Sequence, residues 1–236
     1  MILGSDGKKL SKRHGETAVG DYQQQGILPA AMRNFLALLG WSPGNDDEIL
    51  PVEELIRRFT LEAIQARPAV FDTAKLEWMN GEYLSMLPAT ELIGPVRDRL
   101  AEMGVDAGNA DLLPIIDAVK SRSRTVTMIA SMVTTRLPGA EVVRDAKGDA
   151  LAAKLGDGFG RALSLATETL GALPAADWQP AKLEAALKEL AEREALKLGD
   201  VMQPIRVALT GGTVSEPVHE LLAVVGRDEA LRRMSR

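Results

Sequence analysis

The chain has 236 residues, enough for one large domain or two modest domains with separate apolar cores. It contains no cysteine, which excludes a disulfide scaffold and thiolate metal sites and agrees with a reducing compartment. The formal net charge of -5 argues against a general polyanion binder. The sequence has no run of about 18 apolar residues and no signal-peptide layout, so we expect a soluble, cytoplasmic protein that does not contact membranes.

A lysine-rich loop occupies residues 7–15, and three residues separate it from a short apolar stretch over residues 1–3. Glycine lets a backbone approach an anion closely, and lysine ammonium groups neutralise phosphate oxygens. The loop therefore predicts contact with a polyphosphate, and the apolar stretch predicts a strand that feeds it. On this interpretation the chain begins inside a domain, with Met1 as a fragment start.

Helical periodicity dominates the residues that follow. Pro29 suits a first helical turn, and Gly40 suits the position after the helix ends. Asp72 can cap a second helix, for which Asn80-Gly81 predicts the end. No segment beyond residues 1–3 shows the alternation of a strand.

The second half of the chain is helical by the same criteria. Pro88 opens a helical run, and a long apolar-periodic stretch over residues 112–133 ends before Leu137-Pro-Gly139, so we divide the chain near residues 87 and 138. Leucines recur at i, i+4 and i+7 on one helix face, with a charge pair outside them: Leu183, Leu187, Leu190, and Glu184 with Lys188. The sequence predicts a mostly all-α fold.

Positive charge is concentrated over residues 120–161, where eight basic residues stand against four acidic ones. That segment carries a net charge of +4 and the rest of the chain -9. On charge alone a solvated helix face is the better interpretation. An RNA-facing patch becomes the better one only together with the resemblance described next.

The loop carries a named pattern: Lys9, Leu10, Ser11, Lys12 and Arg13 resemble the second signature (KMSKS) of class I aminoacyl-tRNA synthetases, in the spelling found in glutamyl-tRNA synthetases. Three further segments resemble the same family and occur in the family's order: residues 26–42, 71–80 and 203–211. The resemblance covers nearly the whole chain.

The resemblance implies a ligase that attaches L-glutamate to tRNA(Glu) in two steps, with ATP and Mg²⁺. Lys9 and Lys12 match the two lysines of the signature, and Lys12 is the candidate for stabilising charge on the transferring polyphosphate. Leu10, Ser11 and Arg13 complete the implied ATP-binding loop.

The family's first signature, His-x-Gly-His, does not occur, because the two histidines are His14 and His219. From this we expect the Rossmann catalytic domain to be absent. We also expect the fragment to bind tRNA without forming glutamyl-adenylate, and to hold no complete catalytic site, cofactor or metal.

The family's organisation implies three regions and a monomer. Residues 1–87 would hold the signature loop and the stem-contact region. Residues 88–138 and 139–236 would form the first and second helical anticodon-binding subdomains.

The anticodon contacts implied by the resemblance lie mainly near residue 206. Arg206, in the segment that starts at Gln203, matches the arginine that contacts an anticodon nucleotide, and Ser215 matches a nearby hydroxyl. The family usually has proline directly after that hydroxyl, whereas this chain has Glu216 and then Pro217. A carboxylate facing RNA is unfavourable, so we expect Glu216 to point away or the loop to differ.

Some members of the family discriminate among bases at the third position of the anticodon. In these members an arginine on the helix corresponding to residues 119–133 reads that base. Arg124 is the best match, and Arg122 is close behind.

Two alternative functions would each show a feature that distinguishes them from a glutamyl-tRNA synthetase. A helical protein–protein interaction module would expose a large apolar patch in place of a basic one. A glutaminyl-tRNA synthetase carries a β-barrel anticodon region, and the helical periodicity over residues 88–236 disfavours it.

Overall fold

The computed structural model describes residues 1–11 and 18–235. The chain divides into two compact units, one of Met1–Met103 with Lys120–Ala130 and one of Gly104–Val119 with Ser131–Arg236. In chain order the elements are β1 Ile2–Leu3, α1 Val19–Gln24, α2 Pro29–Leu38, α3 Val52–Arg58, β2 Ala69–Val70, α4 Thr73–Met86, α5 Ala89–Glu102, α6 Leu113–Lys120, α7 Val126–Thr134, α8 Ala146–Leu155, α9 Asp157–Gly171, a 3-10 turn Ala175–Asp177, α10 Pro180–Arg193, α11 Leu198–Thr210, α12 Val218–Val225 and α13 Arg227–Met234. Within the described ranges, no helix has the length and apolar character needed to cross a bilayer.

The core of the first unit forms where α2 packs on α4. Phe71 lies at its centre, with ring centroids 5.5 Å from Tyr22 and 4.9 Å from Phe35. The predicted start of α2 at Pro29 is confirmed. The predicted cap of α4 is also confirmed, because the Asp72 side chain accepts a hydrogen bond from the main-chain nitrogen of Lys75, the third residue of the helix.

The expectation that Asn80-Gly81 ends a helix is wrong, because α4 continues to Met86. Asn80 is fully buried, and its amide makes three hydrogen bonds, accepting from Leu28 N (2.7 Å) and donating to Arg124 O (2.6 Å) and Gly26 O (3.2 Å). From its place inside the helix, the Asn80 side chain thus binds main-chain groups of two neighbouring loops. Its polar groups are satisfied by these bonds, and the helix continues past it.

A parallel pair of strands accompanies the helices of the first unit. Ile2 pairs with Ala69 and Leu3 with Val70. The strand predicted over residues 1–3 is therefore confirmed, whereas β2 was not predicted. Two residues are too few to show an alternating pattern, so β2 exists through pairing rather than through a local signal.

The stretch over residues 112–133 forms two helices instead of one. α6 ends at Lys120 and α7 begins at Val126. Thr125 starts α7, since its side-chain oxygen accepts a hydrogen bond from Met128 N at 3.1 Å. The apolar periodicity continued across this break, which is why it concealed the turn.

The second unit buries its core among α9, α10, α11, α12 and α13. The predicted apolar face of α10 is confirmed, because Leu183, Leu187 and Leu190 are fully buried. The predicted pair on the outer face is present, with Lys188 Nζ 2.7 Å from Glu184 Oε1.

Ala195 has a left-handed backbone, with φ of +53°, in the turn that ends α10. A side chain in this region costs about 1–2 kcal/mol, whereas glycine adopts it readily. We expect Ala195→Gly to raise the free energy of unfolding by roughly 0.5–1 kcal/mol, because relief of strain exceeds the added freedom of the unfolded chain. Urea denaturation followed by circular dichroism measures the change.

The matched control is Ala185→Gly, at an exposed position inside the same helix. There glycine should lower the free energy of unfolding by about 1 kcal/mol. A decrease in both variants would contradict the strain at Ala195.

Candidate functional site

The described part of the lysine-rich loop folds back along β1. Gly4 N donates to Lys8 O at 2.8 Å, and Leu10 N donates to Ile2 O at 2.9 Å. Gly7, at φ of +74°, makes the tight turn between them. These bonds hold residues 8–10 beside β1.

The signature residues differ in burial. Lys9 and Ser11 are exposed, and Lys9 pairs with Leu3 in an antiparallel bridge. Leu10 is half-buried and packs on the core of the first unit. Lys12 and Arg13 lie outside the described residues.

Arg206 is half-buried on α11 and contacts the loop that leads to α12. Its Nη1 donates to Ser215 Oγ and to the Glu216 carbonyl oxygen, the latter at 2.6 Å. Ser215 Oγ donates to the same carbonyl at 2.7 Å. The structure therefore brings together two of the residues predicted to meet the anticodon.

Gln203 lies three residues before Arg206, a spacing that places side chains on one helix face. Its Oε1 is buried and accepts no hydrogen bond from the residues that the structure describes.

The carboxylate of Glu216 is turned into the protein. It is fully buried and forms two hydrogen bonds with Arg136, from Nε to Oε1 at 2.8 Å and from Nη2 to Oε2 at 2.5 Å. The departure from the family pattern thus places no exposed acid in the loop. Sequence reasoning missed Arg136 as the partner, because 80 positions separate the two residues.

The path of the loop requires glycine at its first position. Gly211 follows α11 with φ of +80°, and a Cβ there would lie 2.1 Å from Val143 O. Its carbonyl accepts a hydrogen bond from Asp145 N at 3.0 Å. This close approach ties the loop to the segment before α8.

Arg122 and Arg124 lie in the turn between α6 and α7, in the first unit, and both are exposed. The expectation that they stand on a continuous helix is therefore wrong. Arg124 Nη1 lies 3.4 Å from Trp78 O, and the Arg124 carbonyl is the one bound by Asn80. The two arginines and Arg206 belong to different units.

The basic segment over residues 120–161 is not uniformly exposed. Arg136 is buried against Glu216, and Arg144 donates to Asp149 at 3.0 Å. The segment is also divided between the two units. Its net charge of +4 therefore overstates the charge it can present to a ligand.

Besides Glu216, a second acid of the second unit, Glu229, forms ion pairs with arginines. Glu229 accepts hydrogen bonds from Arg232 (Nη2 to Oε1, 2.5 Å) and from Arg233 (Nε to Oε1, 2.6 Å). These guanidinium groups, Arg232 above all, lower the pKa of Glu229 from 4.5 to about 2. Arg233 also donates to the carbonyls of Leu137 and Leu209, each at 2.9 Å.

Because the pKa of Glu229 is low in the folded protein, the free energy of unfolding of the second unit depends on pH. The stabilisation is fully present above pH 4.5 and is lost as the pH falls towards 2. In Glu229→Gln, we expect the loss of unfolding free energy between pH 7 and pH 2 to be smaller than in wild type by roughly 3 kcal/mol. Urea titrations at several pH values measure it.

The control for that titration is Glu184→Gln. The Lys188 ammonium lowers the pKa of Glu184 as well, but the pair is exposed and solvent screens it. Its substitution should change the pH dependence far less. Equal pH dependence in wild type and Glu229→Gln would refute the assignment.

Two different family models match the two parts of the chain. Residues 88–236 match a family model described as an anticodon binding domain. Residues 1–78 match one described as the catalytic domain of class I tRNA synthetases (E and Q).

The second match corrects the predicted fold class. We expected a mostly all-α chain from which the Rossmann catalytic domain is absent. The chain is mostly helical, but the expected absence of the catalytic domain is wrong, because residues 1–78 match that domain. The helices misled the prediction, since the strands of the first unit have only two residues each. Parallel pairing such as that of β1 with β2 is typical of α/β proteins.

Relatives and solved structures agree with these matches. Glutamate–tRNA ligase 1 of Methylorubrum extorquens (strain PA1) is 40% identical over 99% of this chain and 50% of its own length. Glutamate–tRNA ligase 2 of Coxiella burnetii (strain Dugway 5J108-111) is 38% identical over 99% and 49%. The chain spans about half the length of these curated relatives.

The crystal structure of a glutamate tRNA ligase from Elizabethkingia meningosepticum CCUG26117, in complex with its amino acid, superposes with a TM-score of 0.81 at 28% identity. The glutamate-tRNA synthetase from Elizabethkingia anophelis gives 0.78 at 29%. Each comparison covers 99% of this chain and 49% of the other. The chain therefore belongs to the glutamyl-tRNA synthetase family and corresponds to a C-terminal half of such an enzyme.

Proposed function

We propose that this chain binds tRNA(Glu) and reads its anticodon with residues 88–236. The observation that supports the proposal most directly is the half-buried Arg206, held by Ser215 and the Glu216 carbonyl within the segment that matches an anticodon binding domain. A guanidinium whose plane is fixed can stack on an unpaired base and donate to its edge.

The neighbours of Arg206 extend the same role. We also assign Gln203 to the anticodon contact, because it lies three residues before Arg206 on the same face of α11. In the other unit, exposed Arg122 and Arg124 are candidates for contact with the third anticodon base. We assign the two helical subdomains to residues 88–138 and 139–236, and the stem-contact region with its loop to residues 1–87.

The complete enzyme of this family would attach L-glutamate to tRNA(Glu). A carboxylate oxygen of glutamate attacks the α-phosphorus of ATP and releases pyrophosphate; a ribose hydroxyl of the tRNA then attacks the resulting carbonyl and releases AMP. We assign Lys9 and Ser11, with Leu10, Lys12 and Arg13, to the loop that meets ATP, which Mg²⁺ accompanies. Lysine side chains there would neutralise charge that develops on the departing pyrophosphate.

We further propose that the protein acts in the cytoplasm as a monomer. The alternative function, a helical protein–protein interaction module, gains no support from the comparisons, which match tRNA synthetase families over both ends of the chain.

Anticodon reading predicts selective binding. At one physiological salt concentration, we expect tRNA(Glu) to bind more tightly than the same tRNA with a changed anticodon base or an unrelated tRNA. Arg206→Gln should weaken cognate binding by about 10- to 150-fold, because a charged hydrogen bond contributes about 1.5–3 kcal/mol. Filter binding or fluorescence anisotropy measures the dissociation constants.

A charge-matched control is Arg193→Gln, at an exposed arginine of α10 that pairs with Glu194. It removes the same charge from the same unit, so any general loss of RNA affinity would appear there too. Equal weakening by both substitutions, or equal binding of all three tRNAs, would overturn anticodon reading by Arg206.

The chain alone should not form glutamyl-adenylate. His14 and His219 cannot form the His-x-Gly-His signature, which in this family lines the adenine and phosphate pocket. We expect no glutamate-dependent exchange between labelled pyrophosphate and ATP, with or without tRNA(Glu). Exchange by the purified chain that disappears in Lys9→Ala would refute this expectation.

A further inference from the structure

The ion pair between Arg136 and Glu216 is buried almost completely. The exposed fractions of the two side chains are 2% and 0%. Removing both charges from water is costly, and planar two-point hydrogen bonding offsets part of that cost. The pair joins chain segments 80 positions apart, so it constrains the fold far beyond its neighbours in sequence.

Glu216 is held at both ends. Its carboxylate receives the two hydrogen bonds of Arg136, while its carbonyl oxygen receives those of Arg206 and Ser215. The position of this carbonyl is therefore fixed by Arg136 and in turn fixes the guanidinium of Arg206. A shift of Glu216 would move both groups that we assign to the anticodon.

Arg136 is itself anchored where α7 ends. Its Nη1 donates to Met132 O at 2.6 Å and to Thr135 Oγ1 at 2.9 Å. These bonds leave Nε and Nη2 for the carboxylate. The anchor is thus continuous from the end of α7 through Arg136 and Glu216 to Arg206.

We propose that Arg136 and Glu216 are positioning residues for Arg206, and that Arg136 keeps the acid of this loop neutralised and away from RNA. The inference rests on the proposed anticodon reading. An exposed carboxylate would repel the phosphates of an approaching tRNA. Pairing inside the protein removes that repulsion and uses the same carboxylate to hold the loop.

Stability alone is a weak explanation for such a pair. Replacing both members of a buried ion pair by apolar residues is often neutral for stability, whereas removing one member leaves an uncompensated charge. The double substitution Arg136→Met with Glu216→Met therefore separates positioning from folding. It removes every side-chain hydrogen bond of the pair without leaving a buried charge.

The test compares wild type with this double variant. We expect the melting temperature to change by only a few degrees, while the affinity for tRNA(Glu) falls about tenfold and the preference over the changed anticodon falls towards one. Amide hydrogen exchange over residues 211–217 should become faster. Arg136→Lys, which keeps the charge but loses the planar fork, should retain part of the preference.

Leu187→Ala is the control for a merely structural effect. It opens a cavity at a fully buried side chain of α10 and destabilises the second unit, while the hydrogen bonds of Glu216 stay in place. At a temperature where it is folded, it should keep the wild-type ratio of cognate to altered tRNA binding.

The outcomes separate the two proposals. Loss of preference in the double variant alone supports positioning. Preference retained by the double variant, or lost equally in Leu187→Ala, overturns positioning and leaves anticodon reading intact. Absence of any preference in wild type overturns anticodon reading, and the inference with it.

Discussion

Helix ends leave carbonyl groups without partners inside the helix, and in the second unit buried arginines supply donors to them. Arg136 donates to Met132 O near the end of α7, and Arg233 donates to Leu209 O near the end of α11. A guanidinium has five donors in one plane, so it can serve a helix end and a second group together. Through these bonds the loops between the helices acquire fixed positions.

Buried arginines in turn require acids. Burial lowers the pKa of Arg233, and the nearby positive charge of Arg136 acts in the same direction, while Glu229 opposes both. Glu216 is the acid that pairs with Arg136, with Nη2 and Oε2 2.5 Å apart. Two acids and two arginines therefore form an arrangement in which removal of any one changes the environment of the others, and single substitutions there will not be additive.

Local sequence patterns correctly predicted those features of the fold that depend on interactions between residues close in sequence. The buried face of α10 follows from the spacing of its leucines, and the start of α4 follows from the capping residue Asp72. Asn80 was misjudged because the partners that satisfy its amide lie 44 to 54 positions away. The strand β2 was missed for the same reason, since it is defined by pairing with residues near the start of the chain.

The candidate site shows the same division. Arg206 and Ser215 are nine positions apart, and the resemblance pointed to both, but nothing in the sequence links Glu216 to Arg136. Counting charges placed Arg136 in a basic segment, whereas its charge is paired with Glu216 inside the protein. A chain with a net charge of -5 gains little from its overall field when it meets RNA. Under the proposed function, recognition of tRNA depends on a few guanidinium groups held in place, and the burial of an acid beside one of them serves that requirement.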